Sequence, residues 1–271
     1  MSNENLAIKK AFELAVQKHQ NNNLQDAQNY YQKVLALDPN HVSTLYNLGS
    51  IFEKLREYQK AKDYFEKVIK INPNYINAHN NLGIIFKELG ENQKAKECYE
   101  KAIGLNPNYA NAHNNLGIIF KELGQYQKAK ECYEKAIEIN PNYINALNNL
   151  GIIFQDLGEN QKAKDCFEKA IEIDPNHTMS YWNSHGLASS VDEALSILKK
   201  LYKVDDKHTK ARIMISILEC YKGNFEKVNE MLNSSESNHP LARSVKWVLS
   251  LPKLPSIFFD KNYFFDALLK Y

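Results

Sequence analysis

The stretch YANAHNNLGIIFKELGQYQKAKECYEKAIEINPN, residues 109–142, decides the fold of this chain. It is the clearest copy of a 34-residue unit that is written four times between residues 42 and 177. A fixed period of this length is typical of a solenoid, in which each unit buries its apolar face by stacking on its neighbours. The repeat therefore predicts a stack of similar units before any single element is considered.

The copies share the same residue types at the same places. Each has a Leu–Gly pair, an aromatic, an alanine, a second aromatic and a closing proline, in that order. These positions are Leu48, Gly49, Phe52, Ala61, Phe65 and Pro73; Leu82, Gly83, Phe86, Ala95, Tyr99 and Pro107; Leu116, Gly117, Phe120, Ala129, Tyr133 and Pro141; and Leu150, Gly151, Phe154, Ala163, Phe167 and Pro175. The series resembles the tetratricopeptide repeat (TPR), a helix–turn–helix unit. The resemblance implies an all-α, right-handed superhelix of antiparallel helix pairs, an α-solenoid, with a helical C-terminal cap.

Helical periodicity supports this fold independently of the resemblance. The apolar residues Leu82, Ile85 and Phe86 are spaced three and four apart, which places them on one face of a helix. Gly90 is suited to ending that helix, because glycine tolerates a positive φ. Gly83 lies inside the helix, where glycine costs about 1 kcal/mol relative to alanine. We therefore expect the paired helix to approach Gly83 closely.

The repeat pattern divides the chain into four segments. Residues 8–41 are predicted to be a degenerate N-terminal TPR and residues 42–177 to be four well-formed TPRs. Residues 178–235 are predicted to form two degenerate TPR-like helix pairs, and residues 236–271 to form C-terminal capping helices. The last segment, residues 256–271, is rich in apolar side chains. It could dock on its own repeats, form a homo-oligomer with a second copy, or precede a further domain.

Charge and hydropathy narrow the class of partner. The 271 residues carry a formal net charge of +2, and acidic and basic side chains are interleaved. This balance indicates no nucleic-acid partner. The chain has no apolar run of about 18 residues and no apolar core at its N-terminus, so we expect neither a membrane partner nor a signal peptide. We therefore predict a cytoplasmic location.

The sequence offers no catalytic motif. Eight of the ten glycines are accounted for by the Leu–Gly positions and the helix ends, so there is no glycine-rich phosphate loop. Neither a G-x-S-x-G nor an H-E-x-x-H motif is present. The cysteines are Cys98, Cys132, Cys166 and Cys220. Three of them recur 34 residues apart, too far in space for a disulfide and without the convergence that a metal site needs. We predict a protein that is not an enzyme, with reduced thiols, no metal and no cofactor.

Asparagine is unexpectedly frequent on the first helix of each repeat. One asparagine precedes each Leu–Gly pair, and in the last three of the four repeats a second stands beside it and a third lies one turn earlier. Asparagine is a poor helix former, because its amide competes for nearby backbone groups. Its recurrence therefore calls for a reason. In TPR proteins this stripe of the first helix lines the concave groove.

Two hypotheses account for the asparagines. They could pin neighbouring repeats together by hydrogen bonds, or they could form a ladder that holds the backbone of an extended peptide, because a carboxamide both donates and accepts. Such a ladder resembles the TPR superhelix of the O-linked N-acetylglucosamine transferases, in which asparagines at the matching place hold the substrate backbone. The predicted peptide-binding residues are Asn47, Asn77, Asn80, Asn81, Ile84, Lys87, Asn111, Asn114, Asn115, Ile118, Lys121, Asn145, Asn148, Asn149 and Ile152.

The function predicted from these features is protein–protein interaction. The chain is expected to be a scaffold whose concave groove binds an extended peptide or a partner helix through the asparagine ladder. Two alternatives remain open. The chain could be the N-terminal, substrate-recruiting part of a larger glycosyl- or methyltransferase, or a module for self-assembly.

Overall fold

The protein is described by a computed structural model that covers residues 3–224, and in this range it is built of helices joined by short turns. The helices are α1 (Asn3–Gln20), α2 (Leu24–Leu37), α3 (Val42–Lys54), α4 (Tyr58–Ile71), α5 (Ile76–Glu88), α6 (Asn92–Leu105), α7 (Ala110–Glu122), α8 (Tyr126–Ile139), α9 (Ile144–Asp156), α10 (Asn160–Ile173), α11 (Thr178–His185), α12 (Val191–Val204) and α13 (Thr209–Tyr221). The expected cap at residues 236–271 lies outside the described residues.

The helices belong to two compact units, divided between Pro141 and Asn142. In the first unit α1 pairs with α2, α3 with α4, α5 with α6 and α7 with α8, and each pair contacts the next. In the second unit α9 pairs with α10 and α11 with α12, and α13 packs on α12. Each unit is thus a row of helix pairs. This confirms the predicted all-α solenoid fold.

The turn inside each pair depends on a residue with a positive φ. Gly90 has a φ of 78° and Gly124 a φ of 70°, as expected of glycines that end a helix. In the preceding repeat Arg56 occupies the same place with a φ of 59°, which is unusual for a residue with a Cβ. The Gly90 backbone N–H donates to the carbonyl of Lys87 at 2.9 Å, so the turn reverses the chain within three residues.

The turn between pairs is set by the residue that precedes proline. Asn72, at the end of α4, is extended with φ −128° and ψ 91°, the conformation that Pro73 imposes on its predecessor. The Asn72 side-chain oxygen accepts a hydrogen bond from the backbone N–H of Asn74 at 3.1 Å. The Asn106 side-chain oxygen accepts a hydrogen bond from the backbone N–H of Asn108 in the same way, at 3.0 Å. The repeated Asn–Pro therefore ends one repeat and starts the next.

The glycine of each Leu–Gly pair lies against the second aromatic of its own repeat. A Cβ added at Gly83 would lie 2.6 Å from the Tyr99 ring, and one at Gly117 would lie 2.6 Å from the Tyr133 ring. Both tyrosines are fully buried. The predicted close approach of the paired helix is confirmed, and it explains why glycine occurs at this place inside a helix.

The repeat that follows residue 177 departs from this pattern. Helix α11 has eight residues, whereas α9 has thirteen. His185 stands 34 residues after Gly151, so this repeat has an imidazole ring where the preceding repeats have the glycine of the Leu–Gly pair. At the place of Phe167 on α10, the partner helix α12 has the smaller Leu198, which is fully buried. The His185 ring lies against the Trp182 ring, with 4.5 Å between their centroids, and Leu198 belongs to a buried core shared by α11, α12 and α13.

Two glycines on neighbouring helices test the close approach. Replacing Gly117 with leucine should lower the free energy of unfolding by about 1–3 kcal/mol, because the buried Tyr133 ring has no room to move. Gly104→Leu is the matched control, since a Cβ at Gly104 would meet nothing within 4 Å. There we expect a gain of up to about 1 kcal/mol from helix propensity. Urea unfolding followed by circular dichroism measures both, and equal effects would contradict the proposed contact.

Two buried tyrosines at equivalent places allow a second test. Within the described part of the chain, the Tyr133 hydroxyl is buried without a hydrogen-bond partner, whereas the Tyr31 hydroxyl accepts a hydrogen bond from Asn47 at 2.9 Å. Tyr133→Phe should therefore leave the melting temperature unchanged or raise it. Tyr31→Phe should cost about 0.5–1.5 kcal/mol, the net value of one hydrogen bond. A loss of stability in Tyr133→Phe as large as that in Tyr31→Phe would contradict this expectation.

Candidate functional site

The predicted peptide-binding residues of one repeat lie on α5, where they differ sharply in exposure. Asn77 is exposed, Asn81 and Ile84 are half-buried, and Asn80 is only 4% exposed. The difference follows from helix geometry, because positions 77, 81 and 84 share one face and position 80 turns toward the neighbouring repeat. By exposure the asparagines form two groups. We call the exposed ones the outer row (Asn77, Asn111 and Asn145) and the buried or half-buried ones the inner row (Asn47, Asn80, Asn81, Asn114, Asn115, Asn148, Asn149 and Asn183).

The inner row in the first unit consists of residues that hydrogen-bond across repeats. The Asn115 amide nitrogen donates to the Asn80 oxygen at 3.1 Å, which joins α7 to α5. The Asn81 amide nitrogen donates to the Tyr46 hydroxyl at 3.1 Å, which joins α5 to α3. In the repeat that begins with α3, the Asn47 amide nitrogen donates to the Tyr31 hydroxyl at 2.9 Å, which joins α3 to α2. One amide per repeat is thus used to bind the repeat before it.

Adjacent asparagines complete this network within each helix. The Asn80 amide nitrogen donates to the Asn81 oxygen at 3.2 Å, and Asn114 donates to Asn115 at 3.3 Å. Both Asn80 and Asn114 are buried, with 4% exposure each. A buried amide without partners would cost about 1–3 kcal/mol, so these bonds are needed for the stack.

The second unit repeats the arrangement by itself. Asn183 on α11 donates to the Asn148 oxygen on α9 at 2.9 Å, and Ser180 donates to the same oxygen at 3.4 Å. Asn148 is 6% exposed, whereas Asn149 is half-buried. The asparagine kept at position 183 therefore serves the stack even though the Leu–Gly pair after it is lost.

These contacts favour the first of the two roles for the inner row. Each amide has two N–H donors and an oxygen with two lone pairs, so a single bond on each side leaves part of its capacity open. Asn81 and Asn115 are half-buried and retain this capacity on their exposed side. That these residues also hold a ligand stays a prediction.

The outer row has the exposure that a binding surface needs. Asn77 and Asn111 are exposed on the first unit, and Asn145 is exposed on the second. The Tyr109 hydroxyl, at the start of α7, donates to the Asn77 oxygen at 3.0 Å and fixes its orientation. Because the Asn77 oxygen is engaged, its amide N–H groups point to solvent as donors.

The helices α3, α5 and α7 each end on one lysine and one glutamate, so the charges near these helix ends are balanced. The Lys87 ammonium lies 3.8 Å from both Glu88 and Glu122, and the Glu122 contact spans two repeats. The pKa of the Glu53 carboxyl is raised by burial and by the neighbouring Glu88. Such a face has little net charge to attract a strongly acidic or basic segment. Ile84, like its equivalents 34 and 68 residues later, is half-buried and gives the face an apolar part.

Tyrosines near this face were not among the predicted site residues. The rings of Tyr46 and Tyr75 lie 5.1 Å apart, and the Tyr46 hydroxyl accepts from Asn81. Tyr109 orients Asn77. The recurrence of tyrosine at positions 75, 109 and 143, directly before each first helix, is the sequence signal that could have found them.

The remaining reactive side chains have structural roles. The ring nitrogen of His79 donates to the carbonyl of Pro73 at 2.8 Å, and His113 donates to Pro107 at 2.9 Å. Burial raises the pKa of the Cys98 and Cys132 thiols to about 12, so both stay protonated at neutral pH. Among residues 3–224, no group of three or more potential ligands could hold a metal ion. No helix in this range is long and apolar enough to cross a membrane.

Paired helices that stack through a glycine–aromatic contact define a helical-repeat protein. Models of the tetratricopeptide repeat match residues 9–41, 42–75, 64–97, 110–143 and 144–177, and a TPR repeat model matches residues 84–124. Together these matches span residues 9–177, and the chain belongs to the tetratricopeptide repeat family. Proteins of this family bind protein or peptide partners. No curated protein matches the chain.

Solved structures support the same assignment. The chain is similar to the crystal structure of MamA, with 29% identity and a TM-score of 0.54 over 63% of this chain and 93% of MamA. It also resembles pilF of Pseudomonas aeruginosa, with 19% identity and a TM-score of 0.68 over 78% of this chain and 97% of pilF. A third similar structure is YrrB, described as a TPR protein with an unusual peptide-binding site, with 24% identity and a TM-score of 0.52 over 66% of this chain and 96% of YrrB. The last two likenesses concern the fold alone.

The inner row can be tested by its effect on stability. Asn115→Ala should lower the free energy of unfolding by about 1–3 kcal/mol, because it deprives the buried Asn80 oxygen of a donor. The gain in helix propensity, up to about 0.7 kcal/mol, does not offset this loss. Asn111→Ala, one turn earlier and exposed, is the matched control and should be neutral or slightly stabilising. If both variants unfold at the same urea concentration, the amide at 115 does not support the stack.

Proposed function

We propose that this protein is a non-catalytic scaffold that binds an extended peptide segment on the exposed face of its first helices. The observation that carries the proposal is the outer row, in which an exposed asparagine recurs every 34 residues at positions 77, 111 and 145. In TPR proteins this face lines the concave groove. Membership of the family supports a protein or peptide as the partner.

The chemistry of the face suits a peptide backbone. An extended chain offers one N–H and one carbonyl per residue, and a carboxamide can pair with either. Successive repeats place their first helices about 10 Å apart, which corresponds to about three residues of extended chain. The half-buried isoleucines at 84 and 118 offer apolar contact to a peptide side chain between successive amides.

The inner row has a supporting part in this proposal. Its hydrogen bonds between Asn115 and Asn80, and between Asn81 and Tyr46, fix the spacing of the repeats. A fixed spacing keeps the outer-row amides in position before the ligand arrives, which reduces the entropy lost on binding. The ligand contacts assigned to Lys87 and Lys121 belong to the same proposal, as does the cytoplasmic location expected from the sequence.

The proposal is tested with a peptide selected from a random display library on the immobilised full chain. The triple variant Asn77→Ala/Asn111→Ala/Asn145→Ala removes the outer row. If each lost hydrogen bond is worth about 0.5–1.5 kcal/mol, the affinity should fall roughly tenfold to a thousandfold, as measured by calorimetry. The melting temperature should stay the same or rise, because all three side chains are exposed.

A matched control removes three exposed amides from the second helices. Gln93, Gln127 and Gln161 are exposed and recur every 34 residues, as the outer row does. Their replacement by alanine should leave the peptide affinity unchanged. If the outer-row variant binds as tightly as the wild type, or if the control loses the same affinity, the exposed asparagines are not the binding surface.

A further inference from the structure

A second candidate site lies on the second unit, away from the asparagine face. A cleft with a volume of about 380 Å³ separates α10 from α12, and α11 forms its floor. Glu168, Ile171 and Glu172 line the wall formed by α10, and Ile197 and Lys200 line the wall formed by α12. The residues of the α10 wall recur on α8 as Glu134, Ile137 and Glu138, whereas Ile197 on α12 takes the place that Cys166 has on α10.

In the first unit an aromatic ring stands between the second helices of neighbouring repeats. The Lys62 ammonium of α4 lies 5.7 Å from the centroid of the Phe86 ring, and the Lys94 ammonium of α6 lies 5.3 Å from it. Phe120 is flanked in the same way by Lys96 at 5.8 Å and Lys128 at 5.5 Å. Each ring thus separates two cations, an arrangement that the negative face of an aromatic favours.

The repeat after residue 177 has lost this ring. Helix α11 ends at His185, and Ala188 stands 34 residues after Phe154. The flanking residues change with it, because Glu193 takes the place on α12 that Lys162 has on α10. Lys164 and Glu193 meet directly, with 2.5 Å between the ammonium and the carboxylate. A salt bridge has therefore replaced the sandwich of a ring between two lysines.

The new salt bridge has a consequence for the wall of the cleft. In the first unit the lysine equivalent to Lys164 lies near the glutamate four residues later, at 3.9 Å for Lys62 and Glu66 and at 3.6 Å for Lys96 and Glu100. The Lys164 ammonium instead donates to Glu193, which also accepts from the backbone and side chain of Ser189. Among the described residues Glu168 therefore makes no ion pair within 4 Å, and Lys164 acts on it only through its charge at a longer distance.

The Glu193 carboxylate is unavailable to a ligand, and its environment shows why. The pKa of Glu193 is lowered to about 2, first by the hydrogen bond from Lys164 and then by those from Ser189. Both of its oxygens are engaged. The charges that remain open to the cleft are those of Glu168, Glu172 and Lys200. Two negative charges and one positive charge give a net charge of −1, which is complementary to a single cation.

The cleft also has an apolar part. Ile171 and Ile197 are half-buried on opposite walls, where they pack against a buried core that includes Tyr181. A lysine or arginine side chain has an aliphatic stem that can cover such a surface while its charged head stays in water. Glu168 and Glu172 are one helical turn apart and both exposed, so they are neighbours on the helix surface, and the planar, five-donor guanidinium is the cation best suited to pairing with carboxylates.

We propose that this cleft is a docking site for an arginine side chain of a partner protein. The stem lies between Ile171 and Ile197, and the guanidinium pairs with Glu168 and Glu172. The site differs from the asparagine face in position and in chemistry, since it recognises a charged side chain rather than a peptide backbone.

The experiment uses the full chain and the peptide acetyl-Leu-Arg-Leu-amide as the probe. Titration followed by backbone amide NMR should shift signals of α10 and α12 residues that line the cleft and give a dissociation constant. The same peptide with citrulline, which keeps the shape of arginine but not its charge, should bind at least tenfold more weakly. This comparison uses the unaltered protein, so it does not depend on any variant folding.

Three variants then locate the interaction. Glu168→Gln/Glu172→Gln should weaken the binding of the arginine peptide at least tenfold, and Lys200→Ser should strengthen it by removing a like charge. Glu134→Gln/Glu138→Gln, at the equivalent places of the preceding repeat, should leave it unchanged. Equal affinity for the citrulline peptide, or unchanged binding by the Glu168/Glu172 variant, would overturn the proposal. Tighter binding of free arginine than of the peptide would overturn it in favour of a small-molecule site.

Discussion

The stack depends on the contact between a glycine on the first helix and an aromatic ring on the second. At Gly83 the Tyr99 ring occupies the space of the missing side chain, and a Cβ there would lie 2.6 Å from it. The glycine costs about 1 kcal/mol of helix propensity, and full burial of a large ring offsets this cost. Because the contact recurs in each well-formed repeat, the helices of every pair meet at the same depth. The same kind of interface therefore joins the two helices in each of the four well-formed repeats.

The regular stack makes the asparagines useful in two different ways. The inner row is buried enough for its amides to find partners in the next repeat, as Asn115 does with Asn80. The outer row, one turn earlier, is exposed. A single helix thus presents one amide to its neighbour and another to solvent. The stacking contacts and the proposed recognition surface are separated by one turn of helix, and substitutions in the two rows are expected to have different effects.

The repeat after residue 177 shows how a departure from the pattern can create a site. His185 replaces the glycine of the Leu–Gly pair, while a leucine replaces the aromatic that would fill the glycine's space. Ser184, which lines the floor of the cleft, stands where the preceding repeats have the larger leucine of the Leu–Gly pair. A cleft with two open carboxylates remains beside the new Lys164–Glu193 salt bridge.

The sequence by itself determined the helix pairs and their boundaries, because these depend on local features: apolar spacing, glycines at a positive φ such as Gly90, and the Asn–Pro that ends each repeat. It also indicated that Gly83 meets the paired helix. The sequence left the role of the asparagines open. Asn80, the partner of Asn115, lies 35 residues earlier, and the two side chains meet only when their repeats stack. Only the tertiary structure decided which amides are buried, that the hydroxyls of Tyr46 and Tyr109 hydrogen-bond to Asn81 and Asn77, and that a cleft lies between α10 and α12. Periodicity specifies the face on which a side chain lies, whereas its hydrogen-bond partner depends on the packing of elements that are distant in sequence.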